Sequence, residues 1–408
     1  MIRLGVVGFG GFGWSLLKNL DEASAALDCR VVAASDLRLA SLSGKAETLR
    51  QRNVQLFDDA QKMFDALRGR LDAVYIASSI PTHTELAVAA AEAGYHIHLE
   101  KPPAATIQEV DRIADAVDRA GVICLVGFQA VHGNDCRFLK ERIVAGRLGH
   151  IQWLTCRAGW PRPASYYARN EWAGRLRAGD RWVLDGPATN ALSHQVNNLL
   201  HLADERAGGY AAPTTVRAEL YAARNESHDL AAMEIQTDRG VPIHCMLTHC
   251  PESFYGPIIT VQGTAGRAEW TIYGEAQITY ADGTTEHCAD GRDDTDEMIV
   301  NFISAVRSGD GASLRCALAD ARKMVLALNV AHESSGRIHP VAPGDIRVEP
   351  EGEGDQRTEV RGLDDLVLRA TEQRCLFSDL DERPDWIVAT QAFDTAGYDH
   401  FPQRFSCD

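Results

Sequence analysis

Along the first third of the chain, short apolar runs alternate with longer segments whose apolar positions recur every three or four residues. That rhythm predicts strands and helices in turn, hence a parallel sheet covered by helices on both faces. Strands are expected at 2–7, 30–35, 54–57, 73–77, 96–99 and 122–126. The first helix starts at Phe12 and turns Phe12, Leu16, Leu17 and Leu20 to one side. Others are expected at 39–50, 60–67 and 107–120, and one more is opened by Pro81 and stopped by Gly94, with Leu86, Ala90 and Ala93 inward.

The pattern changes near Gly127. A helix at 137–145 precedes a strand at 151–157, and Pro187 opens a helix to about Leu202. Alternating segments then follow at 216–221, 232–237, 241–248, 258–262, 267–272 and 277–280. Asp238-Arg239-Gly240 and Asp282-Gly283 supply hairpin turns, so these strands read as an open, mainly antiparallel sheet. Helices at 296–308 and 314–333 lead to an acidic, Gly- and Pro-rich link over 341–362 and a helix at 364–374. The fold class is therefore α/β, with a doubly wound Rossmann sheet over 1–127, an α+β domain over 128–340 and a C-terminal extension over 341–408. Aromatics between Trp386 and Phe405 predict that the extension docks on the protein or on a partner subunit.

The first strand runs into Gly8-Phe9-Gly10-Gly11-Phe12-Gly13, which satisfies G-x-G-x-x-G. Gly8 permits the tight turn, Gly10 lets backbone approach a pyrophosphate, and Gly13 lets helix pack on strand. The helix N-terminus offers free N–H groups to phosphate. Asp36 closes the second strand about 20 residues further on, where a carboxylate accepts both ribose hydroxyls of NAD. Asp36 thus favours NAD, while the neighbouring Arg38 leaves NADP open. Strand-end loops carrying Ser78, Pro81, His83, Glu100 and Lys101 are expected to converge with Gly8, Gly10, Gly11, Phe12, Gly13, Asp36 and Arg38 on one cofactor crevice.

Lys101 can stabilise alkoxide charge on a substrate oxygen, or it is a surface lysine beside a turn. On the Pro187 helix, Asn190 and His194 are four apart and share a face continued by Asn197 and His201, with Leu192, Val196 and Leu199 as the core stripe. A histidine looking into a cleft can act as general base, although spacing alone favours a hydrogen-bonded structural histidine. Asp185 is a second candidate acid or base. The stretch with Trp160, Arg162, Tyr166, Trp172 and Trp182 reads as a sugar-binding wall or a packed loop, and Gln129 is a further substrate candidate. His244 and His249, like Cys245 and Cys250, fall on opposite strand faces, so no metal is expected.

Composition narrows the class. A net charge of −16 argues against nucleic acid or an anionic membrane as partner, and no run reaches membrane-spanning length. The chain starts directly in strand, which gives no secretory signal, and its ten cysteines show no C-x-x-C. They read as reduced thiols in the cytoplasm.

With Glu100-Lys101-Pro102, the glycine loop and His194, the sequence resembles the glucose–fructose oxidoreductase/inositol dehydrogenase (Gfo/Idh/MocA) family over roughly residues 1–335. Pro81-Thr82-His83, Gly146-Arg147-Leu148-Gly149-His150-Ile151 and Gly263-Thr264-Ala265-Gly266 add to the likeness. The resemblance implies NAD(P)-dependent oxidation or reduction of a secondary alcohol of a sugar, polyol or sugar acid, and a homo-oligomer formed through the open sheet. It carries the family's lysine to Lys101 and its helix histidine to His194. The aspartates usual four residues before and three after that histidine are here Asn190 and Asn197. Asn190 can hold a hydroxyl but cannot share a proton, so the relay is expected to pass through Asp185, a substrate group or water. An NAD-using glycosidase and a non-catalytic sugar or cofactor sensor on the same fold are the alternatives.

Overall fold

In the N-terminal sheet the apolar runs are buried on both sides, as parallel strands are. The computed structural model describes residues 1–272, 274–289, 294–352 and 354–407. Its strands are β1 (Ile2–Val7), β2 (Cys29–Ser35), β3 (Gln55–Phe57), β4 (Ala73–Ile76), β5 (His96–Leu99) and β6 (Cys124–Val126), ordered β3-β2-β1-β4-β5-β6 and parallel throughout. The order reverses between β1 and β4, where dinucleotides bind at the carboxyl ends of such strands. At the opposite, amino end of the strands Arg3 ties β1 to β4: its Nε and Nη2 donate to Asp72 at 3.0 and 2.7 Å, and its backbone N–H at 2.6 Å. In the helix His83–Glu92 the inward side is Thr84, Ala87, Ala90 and Ala91, with Leu86 only half-buried.

The chain divides into two compact units. One comprises Met1–Ala104, Gln108–Gly133 and a later segment ending at Arg322; the other holds Ala105–Ile107, the chain from Asn134 up to that later segment, and the chain from Lys323 on. This differs from the three-part division expected from sequence in two places, each for a packing reason. By its place along the chain the helix Asp294–Ser308 falls in the expected second domain, yet its Met298, Ile299, Phe302 and Ile303 sit in one core with Leu16, Leu17, Leu20 and Tyr75 of the first. The extension is no separate domain, because Val360, Leu363, Leu366, Val367 and Phe377 share a core with Tyr221, Leu230, Ala232 and Met246 of the second unit's sheet.

That sheet has ten strands, mainly antiparallel. The strand Ile151–Gly159 lies between Tyr255–Gly263, antiparallel, and Ile243–Thr248, parallel. Leu230–Thr237 and Pro213–Ala222 continue it on one side. Gly266–Thr271, Glu275–Tyr280 and Thr285–Ala289 continue it on the other. The link expected over 341–362 is in fact mostly a hairpin, Ile346–Glu351 against Asp355–Val360, whose charges pair within it, Arg357 donating to Glu351 and Glu359 at 2.7 Å. The aromatic tail docks as expected. Its anchor is the fully buried Glu333 carboxylate, which accepts from Tyr398 Oη at 2.7 Å and from the N–H groups of Gln403, Arg404 and Phe405 at 2.6, 2.6 and 2.7 Å. Among the described residues, no helix is long and apolar enough to cross a membrane.

Candidate active site

The first unit supplies an anion cradle. Gly8 has φ +83°, and a Cβ there would stand 2.7 Å from Ala77 O; at Gly13 it would stand 1.9 Å from Gly8 O. Both positions therefore require glycine, one for its turn and one for helix-on-strand contact. The helix Phe12–Ala23 begins without a side-chain cap and has no acidic residue in its first turn. Among the described residues, no partner closes on the N–H groups of Gly10, Gly11, Phe12 and Gly13, and a Cβ on Gly11 would meet nothing within 4 Å. Free donors, an unneutralised dipole and open space are what a diphosphate needs, so the residues fit the dinucleotide. Phe12, expected to face inward, is instead about half exposed at 48%.

Asp36 is buried, and its position is fixed from both sides: Oδ2 accepts from Phe9 N at 3.0 Å and Oδ1 from Arg38 N at 2.9 Å. The Arg38 guanidinium folds over the loop, where a Cβ on Gly10 would meet its Nη2 at 2.5 Å. Lys45, which sequence reasoning missed, donates from Nζ to Gly10 O at 2.5 Å. Nothing in its local pattern marks it, because the contact spans 35 positions along the chain.

His83 ties two of the strand-end loops together, with Nδ1 at 2.9 Å from Pro102 O and Nε2 at 3.1 Å from Ser78 O. Burial lowers its pKa from the ordinary value, while the two carbonyl oxygens, each of which calls for a ring N–H, pull it upward. Pro81 opens the short turn Ile80–Thr82 before it, and Thr82 Oγ1 donates to Ser78 Oγ at 2.8 Å. Lys101 follows the end of β5, and its N–H donates to Glu100 Oε2 at 3.3 Å. Glu100 is buried with Oε1 lacking a partner, and burial pushes its carboxyl up to about 7. Gln129 begins a short turn, Gln129–His132, in this same unit and is half-buried.

The second unit holds the remaining candidates. The single helix expected from Pro187 is two pieces: a wide π turn at Pro187–Ala191, then the α-helix Ser193–Leu202. The helical phase assumed between Asn190 and His194 therefore does not run continuously. Nor is there an exposed polar face, since every residue from Ser193 to Leu202 is buried. His201 is structural: Nδ1 lies 3.2 Å from Gly209 O, and burial brings its pKa down to about 3. Lys140 covers that helix end, donating to His201 O, Asp204 O and Gly209 O at 2.6, 2.5 and 3.1 Å.

Asn190 Nδ2 donates to Asp185 Oδ1 at 2.6 Å. Asp185 Oδ2 accepts from Gly174 N at 2.7 Å and faces Arg169 Nη2 at 3.8 Å. Leu184 just before it takes the left-handed φ of +53°, a costly conformation for a leucine that turns Asp185 into this network. The Asn190 amide nitrogen thus orients the Asp185 carboxylate. Arg162 and Arg169 stack on Tyr166 at 4.6 and 3.6 Å from the ring centroid, and Arg169 also covers Trp172 at 5.5 Å. Trp160 donates to Gly256 O at 3.2 Å. Trp182 lies apart from this group, packed on Phe401 with ring centroids 5.1 Å apart. His249, considered above only as a metal ligand, belongs to the cluster through Tyr167, whose Oη is 3.1 Å from its Nδ1. Among the described residues, no set of three metal-ligating side chains gathers.

A doubly wound sheet with a glycine-rich, uncapped helix start and a fixed acidic residue at the end of β2 defines a Rossmann-type dinucleotide-binding protein. Residues 2–128 match the model of the oxidoreductase family with NAD-binding Rossmann fold, and residues 136–269 match the GFO/IDH/MocA C-terminal domain. The chain belongs to the Gfo/Idh/MocA family of NAD-binding sugar and polyol oxidoreductases. It is 31% identical over 167 residues to myo-inositol 2-dehydrogenase of Thermotoga maritima, covering 40% of this chain and 48% of that protein. It is 33% identical over 131 residues to D-glucoside 3-dehydrogenase of Escherichia coli, covering 32% and 36%. The chain thus spans about half or less of the length of these curated relatives. In fold it is similar to the WlbA dehydrogenase of Bordetella pertussis, solved with NADH and UDP-GlcNAcA, at TM-score 0.67 and 23% identity over 82% of this chain and 96% of that one.

Proposed function

We propose that the protein is an NAD-dependent dehydrogenase acting on a secondary alcohol of a sugar, polyol or sugar acid. The observation that carries this reading is the uncapped helix start beside Asp36, itself held by Phe9 N–H at 3.0 Å. NAD, when bound, supplies the hydride acceptor. Gly8 to Gly13 and Asp36 hold it, and Asp36 disfavours a 2′-phosphate, so NAD binds more tightly than NADP despite Arg38 and Lys45. Lys101 donates to the substrate oxygen, and His194 takes the hydroxyl proton. Asp185, oriented by Asn190 and Gly174, stands in for the family aspartate as the proton's next acceptor. The similar inositol and glucoside dehydrogenases support a cyclic polyol or sugar as the substrate class. Self-association through the sheet falls to strands outside the part that the tail packs against. All ten cysteines are free of disulfides, which suits a reducing compartment.

The test is calorimetry with NADH together with steady-state rates. Lys101→Ala and His194→Ala each lose turnover by about 100-fold or more while still binding NADH. Full activity in either variant refutes its assignment. Release of sugar without net NADH would support the glycosidase alternative instead.

A further inference from the structure

We propose that the cluster around Tyr166 is an anion subsite and that the substrate carries a carboxylate, as a uronate or an aldonate does. The proposal rests on the dehydrogenase reading above and narrows it.

Arg162 lies between two rings, 4.6 Å from the Tyr166 centroid and 5.4 Å from that of Trp160. Arg169 covers Tyr166 at 3.6 Å and is balanced by Asp185 at 3.8 Å. Arg162 has no such balance: among the described residues no carboxylate faces it, and its Nε is buried without a partner. Two arginines against one aspartate leave a single positive charge. His249 joins them, its backbone oxygen accepting from Arg162 N at 3.3 Å and its ring centroid 6.0 Å from that of Tyr166. Burial, then Arg162 and Arg169, hold its pKa well below the ordinary value, so the ring is neutral. Nδ1 lies 3.1 Å from Tyr167 Oη; where it accepts that phenol's hydrogen bond, the ring hydrogen stands on Nε2, which is buried and has no partner.

The cluster therefore holds a buried Arg162 N–H without an acceptor, a buried ring nitrogen without a partner and one unbalanced charge. Leaving such groups unmet is costly, and a ligand oxygen removes the cost. A guanidinium fork matches a carboxylate's two oxygens, and one net positive charge matches one negative one. A diphosphate would leave excess negative charge in a half-buried place. Trp160, stacked on Phe254 at 6.3 Å and 13°, adds a flat apolar face beside the charge, with Phe254 70% exposed. Such a face suits the C–H side of a sugar ring.

The experiment compares hexuronates and aldonates with their parent aldoses and alditols, using the full chain with NAD for rates and its NADH complex for calorimetry. The acids are expected to be preferred. Arg162→Gln lowers the acid-to-neutral ratio of kcat/KM by about 10- to 100-fold, and Arg162→Lys, which keeps charge without the fork, by less. If Arg162→Gln does not fold, the same ratio read in Arg162→Lys serves. Equal turnover of acids and neutral sugars, with the ratio unmoved in either variant, overturns the subsite and leaves the dehydrogenase reading standing. Arg162-dependent binding of acids with no turnover on any of them supports the subsite and sinks that reading. Inorganic phosphate or sugar phosphates binding more tightly than the acids, through Arg162, overturns the carboxylate.

Discussion

Gly13→Ala is the sharpest probe of the dinucleotide cradle, because the obstruction is backbone and cannot rotate away. The added Cβ would stand 1.9 Å from Gly8 O, against the 3.0 Å below which real Cβ atoms essentially never approach. Helix and loop must therefore separate by about 1.1 Å at the point where the free N–H groups are aimed. Overpacking of this kind costs about 2–3 kcal/mol of stability. It also misdirects the phosphate donors, and two charge-assisted hydrogen bonds lost at about 1.5 kcal/mol each weaken NADH binding roughly 100-fold. Urea unfolding reads the first effect and titration calorimetry the second. Gly11→Ala is the stability control, since its Cβ meets nothing within 4 Å, and its midpoint stays within about 0.5 kcal/mol of the parent. A Gly13→Ala protein with an unchanged midpoint and an NADH Kd within about threefold of the parent would refute the close helix-on-loop packing.

Two further outcomes test the fold around the candidate groups. Glu100 is held at about 7 in the folded chain against an ordinary 4.5, so the native state keeps a proton that the unfolded chain has lost. Its contribution is most favourable below pH 4.5 and declines as the pH rises through about 7; Glu100→Gln should flatten that decline in urea midpoints taken across the window. Glu333→Ala strands the four donors that Glu333 satisfies, and should cost about 3 kcal/mol while raising hydrogen exchange at 403–405 more than elsewhere.

The first unit was legible in the sequence because its signals are local: a buried strand, glycines at fixed offsets and a carboxylate one βα unit on lie within 36 positions. The features that sequence reasoning missed depend on distant chain. Lys45 reaches Gly10 O, and the helix Asp294–Ser308 joins the first core from nearly 300 positions away, where amphipathic spacing gives a helix but not its partner. The Pro187 segment failed differently. Its spacing of Asn190 and His194 is helical on paper, but the wide turn inserted before Leu192 shifts the phase, and nothing in Pro-Ala-Thr-Asn-Ala marks it. That shift matters chemically. It leaves Asn190 bonded to Asp185, which the strained turn at Leu184 carries, and on the proposed function this carboxylate takes the place of the family's helix aspartate. Under that proposal, asparagine at 190 keeps a positioning role toward Asp185 and does not itself carry the proton. The geometry accordingly predicts that Asp185→Asn, not Asn190→Asp, abolishes the proton step: kcat falls by about 100-fold or more in the first and far less in the second. The reverse order of losses would return the acid–base role to position 190.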